Sequence, residues 1–328
     1  MVSGRGLILV VTNKRDVTSD FVVLEMRRRR LPLFRLNTED LPEYEIEMVD
    51  GDPSRLVLSG PSGDLSLREV AAAYYRRPGG LEGQGADGVA AYVAAEWSAI
   101  LRSLWNALED RWLNSPFAIL RAEDKPRQLA VARGVGLRVP ETLVTNSFDQ
   151  ARTFHADGPT VAKPLRHALI DDGEMGSVLF TSRVAELEKG DAEAVRRAPM
   201  ILQREVAKHA DVRVVVVDDR VFAARILSQV HEETVVDWRR GVRLDLEHER
   251  FELPGDVATA CVAVTRELGL RFSAIDLIED VGGNFWFLEA NPNGQWAWIE
   301  QRTGAPLSDA LVDALSKRHD HAGCERAV

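Results

Sequence analysis

Hydrophobic positions follow two rhythms along the chain. Short apolar runs at 7–11 and 33–36 bracket a stretch, 19–30, where Phe21, Val22, Leu24 and Met26 recur at helical spacing. That is a strand–helix–strand opening of a parallel α/β layer. Residues 45–67 alternate loosely around Gly-Asp-Pro and Pro-Ser-Gly turns and predict a hairpin. Tyr74-Tyr75-Arg76-Arg77-Pro78 reads as a strand running into a loop, and glycine-rich 79–88 as a mobile connection. A long helix follows over 89–108, with Val93, Trp97, Ile100, Leu104 and Trp105 on one face. Past Pro116 the pattern predicts a helix at 123–133 stopped by Gly134 and Gly136, then strands at 142–145 and 160–163. A loop at 164–176, a strand at 178–181, a polar helix at 182–197 and a strand at 200–206 come next. Two hairpins and a helix complete the chain, with a disordered tail after 318. The division is an N-terminal α/β domain over 1–114, a central lobe over 115–199, a C-terminal lobe over 200–318 and the tail 319–328.

The chain has 328 residues, 45% of them hydrophobic, enough for two or three packed lobes. Its formal net charge of -10 argues against a general nucleic-acid surface. Arg27–Arg30 complement a helix C-terminus and are solvated. An anionic ligand therefore needs local Arg and Lys clusters or a metal. No apolar run approaches membrane-spanning length, and no Gly-x-Gly-x-x-Gly follows the first strand. Cys261 and Cys324 read as a buried thiol and a loose terminal one. The expected setting is the cytoplasm, without nucleic-acid or membrane partners.

The most informative stretch is 272–295, FSAIDLIEDVGGNFWFLEANPNGQ. Apolar runs flank Gly282-Gly283, a hairpin signal. With those glycines as a two-residue loop, Val281 faces Asn284, Asp280 faces Phe285, and Asp276 falls opposite Glu289. Directly opposed side chains have Cβ atoms roughly 4.5–5.5 Å apart, and Asn291 joins the same face two residues on. Two opposed anions repel, a cost that a bound divalent cation converts into a purpose. Oxygen ligands from Asp276, Glu289 and Asn291 suit Mg²⁺.

Phosphate partners are sought among cations. Lys163 ends an apolar strand before a glycine-containing loop, and Lys125 sits on a helix. Arg213 and Arg225 lie on the two arms of a second hairpin closed by Asp218-Asp219. Both can clamp phosphate; whether they share a face depends on the loop. His209 and His231 read as surface histidines.

Lys125, Lys163-Pro164, Gln203-Arg-Glu205-Val, Asp211-Val-Arg213, Asp276 and Glu289-Ala-Asn291-Pro-Asn-Gly occur in an order that resembles the ATP-grasp superfamily. Tyr75-Arg-Arg-Pro78, Pro140-Glu-Thr-Leu-Val-Thr-Asn146, Asp237-Trp-Arg239 and the ending Phe287-Leu-Glu-Ala-Asn-Pro-Asn-Gly-Gln-Trp296-Ala-Trp298 are similar to the microviridin-type peptide maturases, the graspetide synthetases. The resemblance covers about 7–315. It implies a pre-ATP-grasp domain, a small central lobe and a C-terminal lobe, with ATP between the last two. Lys125 and Lys163 would touch phosphate or adenine. Gln203 and Glu205 would line the adenine hinge, Asp211 would reach the ribose, and Arg213 the terminal phosphate. Lys163, Arg213 and Arg225 are the expected catalytic cations, and Asp276, Glu289 and Asn291 hold Mg²⁺. The implied chemistry activates Asp or Glu side chains of a ribosomal precursor peptide as acyl phosphates and closes macrocyclic esters or amides. A leader docks on the enzyme, 231–243 is a candidate peptide contact, the 164–176 loop excludes water, and a homodimer is admitted. The rivals are an ATP-grasp amino-acid ligase for a small molecule or protein tail, and a non-catalytic ATP- or peptide-binding protein.

Overall fold

The computed structural model describes residues 6–80, 88–166, 169–170, 177–241 and 245–324. β1 (Leu7–Thr12), α1 (Val17–Arg28) and β2 (Leu33–Asn37) form the expected opening unit. Asp16 caps α1 by accepting from the Thr18 N–H, and Arg27 and Arg28 sit in its last turn, where they oppose the dipole. Arg29 departs from the solvated reading: it is largely buried and ties Glu25 to Asp309 and Asp313 far along the chain.

β3 (Glu45–Met48), β4 (Leu56–Gly60) and β5 (Gly63–Ser66) make a three-stranded meander, one strand more than a hairpin. β6 (Val70–Tyr75) and β7 (Trp112–Leu113) complete a parallel sheet in the order β2-β1-β6-β7. α2 (Gly88–Ala107) buries Leu101 and Leu104 against it, with Trp97, Ile100 and Trp105 alongside. Val93, expected on that face, is exposed. Most of the loop expected to be mobile, 81–87, lies outside the described residues.

The helix expected at 123–133 is present as α4 (Lys125–Gly134), and a further short helix, α3 (Pro116–Ala122), precedes it. α3 starts on a proline and α4 starts where Asp124 accepts from the Arg127 N–H. Gly136, at φ +92°, turns the chain out. The central lobe runs through β8 (Thr142–Thr145), α5 (Phe148–Ala156), β9 (Thr160–Lys163), β10 (Leu169–Ile170) and β11 (Ser177–Val178), which pair only with each other, then β12 (Ser182–Arg183), α6 (Ala192–Arg197) and β13 (Met200–Arg204). Its four-stranded sheet has the order β12-β9-β13-β8, all antiparallel. The polar helix expected at 182–197 shrinks to α6, because Ser182 and Arg183 complete the sheet beside Ala162 and Val161. A Glu188–Asp191 capping box then delays the helix start. The expected lid, 164–176, lies largely outside the described residues.

The C-terminal lobe is built from β14 (Lys208–Val217), β15 (Arg220–Ile226), β16 (His248–Phe251), α7 (Gly255–Glu267), β17 (Phe272–Asp280), β18 (Phe285–Asn291), α8 (Ala297–Thr303) and α9 (Leu307–Cys324). The antiparallel order is β16-β15-β14-β17-β18. Period-two alternation splits β14 between two faces. Val212, Val214 and Val216 pack with Leu129, Ala132, Cys261 and Val264 of α4 and α7. Val215 and Val217 face α8 and α9, whose other side meets α1, β1 and β6 in one continuous core. α3 and α4 thus pack on the C-terminal sheet although they precede the central one in sequence. α9 continues to Cys324, so the tail expected from 319 begins as helix. Among the described residues, no helix is long and apolar enough to cross a membrane.

Candidate active site

The hairpin β17–β18 brings the acid pair together. Asp276 lies opposite Glu289, and Ala274 opposite Asn291. The route differs from the two-glycine loop read from sequence. Near the turn Phe285 pairs with Glu279, not Asp280, and Phe287 with Leu277; a bulge that sets Leu288 aside then restores the predicted pairing at Asp276. The Asn291 amide donates to Asp276 Oδ2 at 3.2 Å and to Glu289 Oε1 at 3.3 Å, so all three side chains converge.

Cations surround the pair unevenly. Arg213, in register with Asp276 on β14, is buried, and its Nε lies 2.7 Å from Asp276 Oδ1, in ion-pair contact without hydrogen-bond alignment. Lys125 Nζ is 3.4 Å from Glu289 Oε2, and Arg239 Nη1 is 4.0 Å from Oε1. Burial raises Asp276 to about 6, and Glu289 beside it outweighs part of the relief from Arg213. Burial works against ionised Glu289 too, but Lys125, Arg239 and Lys163 overcome it and hold that carboxyl at about 2. The two share one electrostatic problem: Glu289 keeps its charge and Asp276 bears the cost.

Asp276, Glu289, Lys125 and Arg239 form one wall of a cleft of about 670 Å³ between the central and C-terminal sheets, whereas Arg213 and Asn291 face a second cavity beyond the acid pair. Lys163, at the end of β9, faces the cleft and donates to Gln203 Oε1 at 2.7 Å; Gln203 donates in turn to Thr142 Oγ1 at 3.0 Å. Burial lowers Lys163 to about 8. Lys125, on the first turn of α4, donates to the Pro164 carbonyl at 3.0 Å and so spans both lobes. Glu205 lines the cleft and pairs with Arg183 at 2.7 Å. Asp211 also lines it, but Lys208 Nζ at 3.0 Å and the Ser228 hydroxyl at 2.6 Å already hold its carboxylate. Lys125, Lys163, Gln203, Glu205, Asp211, Asp276 and Glu289 are all placed on this one cleft.

Arg225 is not. The two-residue turn at Asp218-Asp219 pairs Arg213 with Ala224, which sends Arg225 to the opposite face of the sheet. There it binds Glu279 through two hydrogen bonds of 2.7 and 3.0 Å and stacks on Phe251 at 3.9 Å. Its expected catalytic place is corrected to a structural one. His209 and His231 are exposed, as expected.

The second cavity, about 740 Å³, opens on the other side of the acid pair. Arg77, Arg213, Arg239 and Arg302 line it with Trp238, Trp298 and His248; Trp238, Arg239 and Glu289 are common to both cavities. Arg239, within the 231–243 segment expected to contact peptide, is also a charge partner of Glu289. It is oriented by Asp237 at 2.6 Å, which also accepts from the Thr181 N–H at 3.0 Å. Trp238 lies under the Arg213 guanidinium, 5.6 Å from its ring centre. The acid–aromatic–base triplet at 237–239 carried the signal but fixes no strand register. His248 is brought from the far edge strand, with no local motif to announce it.

The donor set fits a hard divalent cation. It comprises two carboxylates and an amide, with the charge conflict at Asp276 still in place. Among the described residues no cluster of three or more His, Cys, Asp or Glu stands together, so the set would need water or phosphate oxygens to complete it, as Mg²⁺ prefers.

Residues 122–315 match the model of the RimK-like ATP-grasp domain. A probable alpha-L-glutamate ligase of Haemophilus influenzae is 26% identical over 209 residues, 62% of this chain; the match spans 66% of that ligase, just under two thirds of its length. Among solved structures, the RiPP-associated ATP-grasp ligase of Chryseobacterium gregarium, in complex with ADP and a leader and core peptide, superposes with TM-score 0.84 and 26% identity. It covers 95% of this chain and 97% of that one. Macrocyclase MdnC of Microcystis aeruginosa MRC, bound with precursor peptide MdnA, gives 0.80 and 27% over 94% and 99%. ATP-grasp ligase PsnB, complexed with minimal precursor, Mg and ADP, gives 0.75 and 26% over 95% and 97%.

Proposed function

The chain belongs to the RimK-like ATP-grasp family, and on that premise we propose that it is an ATP-dependent ligase acting on Asp or Glu side chains of a ribosomal precursor peptide. The carrying observation is that two cavities meet at Glu289, Trp238 and Arg239. The first takes the nucleotide between the two sheets. The second, walled by arginines and tryptophans, takes the carboxylate-bearing peptide segment. Solved relatives with ADP, Mg and precursor peptides support the same assignment.

A peptide carboxylate oxygen attacks the γ-phosphorus of ATP, and ADP leaves. A Ser or Thr hydroxyl, or a Lys amine, of the same peptide then attacks the acyl carbon. Inorganic phosphate leaves, the nucleophile's proton passes to solvent or phosphate, and a macrocyclic ester or amide closes. Asp276, Glu289 and Asn291 would hold Mg²⁺, which when bound neutralises phosphate charge. The protein's own contribution is preorganised charge. Lys163 and Lys125 approach the phosphates from the central-lobe side, Arg213 approaches from β14, and Arg239 sits at the junction where the carboxylate meets the γ-phosphate. Gln203 and Glu205 line the adenine end, and Asp211 the ribose side.

The curated glutamate-ligase relative supports a second reading, transfer of a free amino acid to a small molecule or protein tail. Both share the nucleotide cleft. The enzyme incubated with ATP and Mg²⁺ is offered either a Thr- and Glu/Asp-rich peptide or free glutamate with candidate acceptors. Loss of water from the peptide, with matched ADP release, is the expected result. ADP released only with free amino acids would refute the maturase reading.

A further inference from the structure

We infer that Arg76, a buried arginine of the N-terminal lobe, is a positioning residue for the Asn291–Gln295 segment, which carries one ligand of the acid–amide set and floors the second cavity. Sheet pairing holds the segment only at Asn291, opposite Ala274, where β18 ends; 292–295 run on beyond it. Side chains from other elements brace the strand end and hold the rest. Gln128 accepts from the Ala290 N–H at 2.9 Å and donates to the Ala290 carbonyl at 2.8 Å. Asn114 donates to the Pro292 carbonyl at 3.1 Å. Arg76 then takes the next two carbonyls, Asn293 and Gly294, through one nitrogen, Nη1.

Arg77 Nε also donates to the Asn293 carbonyl, at 3.0 Å, but Arg77 lines the second cavity, whereas Arg76 is 1% exposed and out of a substrate's reach. Its Nε contacts Asp16 at 3.1 Å, and Asp16 is fixed by the Ser19 hydroxyl at 2.9 Å and the Thr18 N–H at 3.2 Å. Charge-assisted bonds from a guanidinium hold carbonyls more firmly than neutral ones. The chain Ser19–Asp16–Arg76–Asn293/Gly294 therefore braces, from outside the ATP-grasp lobes, the turn whose Gly294 N–H donates to the Asn291 carbonyl at 3.1 Å. Gly294 reinforces the fit: a Cβ there would lie 2.3 Å from that of Ala274, so the segment has little room to re-pack. The catalytic consequence rests on the nucleotide and Mg²⁺ reading given above; the mechanical one does not.

The test uses the full chain carrying Arg76→Met or Arg76→Lys, with hydrogen exchange by mass spectrometry and ADP binding with Mg²⁺ or with EDTA. In Arg76→Met, peptides covering 291–296 should exchange faster while β14 and β17 keep wild-type protection. The Mg²⁺-dependent gain in ADP affinity should fall about tenfold, the range for groups behind metal ligands, with EDTA binding unchanged. Arg76→Lys should recover part of both. If Arg76→Met does not fold, Asp16→Asn carries the same expectation at smaller amplitude. Wild-type protection at 291–296, uniform loss across the sheet, or intact Mg²⁺ dependence despite local exchange would each overturn the inference. A wild-type protein with no Mg²⁺-dependent ADP binding would sink the functional reading, while the exchange data would still decide whether Arg76 holds the segment.

Discussion

Two arginine–carboxylate pairs sit on opposite faces of the same five-stranded sheet, one residue apart in register. Arg225 and Glu279 make two aligned hydrogen bonds against Phe251. Arg213 and Asp276 touch without alignment, beside a second acid and between two cavities, Asp276 lining the first and Arg213 the second. The first pair satisfies its charges within the fold. The second leaves a buried carboxyl raised to about 6, and that dissatisfaction is what a ligand would relieve. Residue type alone does not separate a phosphate clamp from a girder; the partner's geometry does.

The contrast is most directly broken at the acids. Glu289→Ala should lower kcat by on the order of 10³-fold with little change in thermal stability, measured by ADP release and by melting. Next, Arg213→Met should cost about 10²-fold in kcat, as for loss of one preorganised charge. Arg225→Met should keep activity but destabilise the fold by roughly 2 kcal/mol, below the fully buried value because Arg225 is 22% exposed. Equal activity losses in both arginine variants would erase the distinction between the faces.

Lys163 sharpens the comparison from across the cleft. Its folded pKa of about 8 lies below the ordinary 10.5, so the unfolded chain binds its proton more tightly. Its penalty on the ligand-free protein is complete below about pH 8 and is relieved between pH 8 and 10.5 as pH rises. Lys163→Met should raise the ligand-free melting temperature at pH 7 and remove that pH-dependent gain. It should also raise KM for ATP about tenfold, the scale of one charge-assisted contact. The smallest effect belongs to the structural face. Burial pushes the Cys261 thiol up to about 12, so a thiol alkylating agent at pH 8 should leave it unmodified in the native protein and label it in urea, as read by mass spectrometry.

The acid pair was legible because it rests on a hairpin, yet it was reached through two offsetting displacements, one at the turn and one at Leu288. Sequence spacing cannot reveal a bulge, since a bulge leaves the apolar rhythm on both sides intact. The face of Arg225 stays open in the sequence for a related reason: period two makes one residue of turn length decide it. Over 182–197, tertiary pairing with β9 overrides local helix preference, and the seven-residue α3 is too short to show a clear period in the sequence. Lys163, at a strand end before a glycine-containing loop, and more weakly Lys125 are phosphate candidates from their own neighbourhoods, whereas the role of Gln203 comes from the family order alone. Arg239 and Arg76 sit in short motifs, Asp237-Trp-Arg239 and Tyr75-Arg-Arg-Pro78, that mark the family without showing their distant partners, and His248 leaves no local trace at all.

β18 is the last strand of its sheet, and its outer border is closed by the Gln128 side chain at Ala290 and by the Arg138 carbonyl, which accepts from the Phe287 N–H at 2.7 Å. A recombinant fragment begun at residue 200 would lack both closures. It would offer that border to further copies of itself, an invitation to fibrous or amorphous precipitation. Anyone dividing this enzyme for fragment complementation should cut ahead of Pro116, so that α3 and α4 travel with the strands they shield.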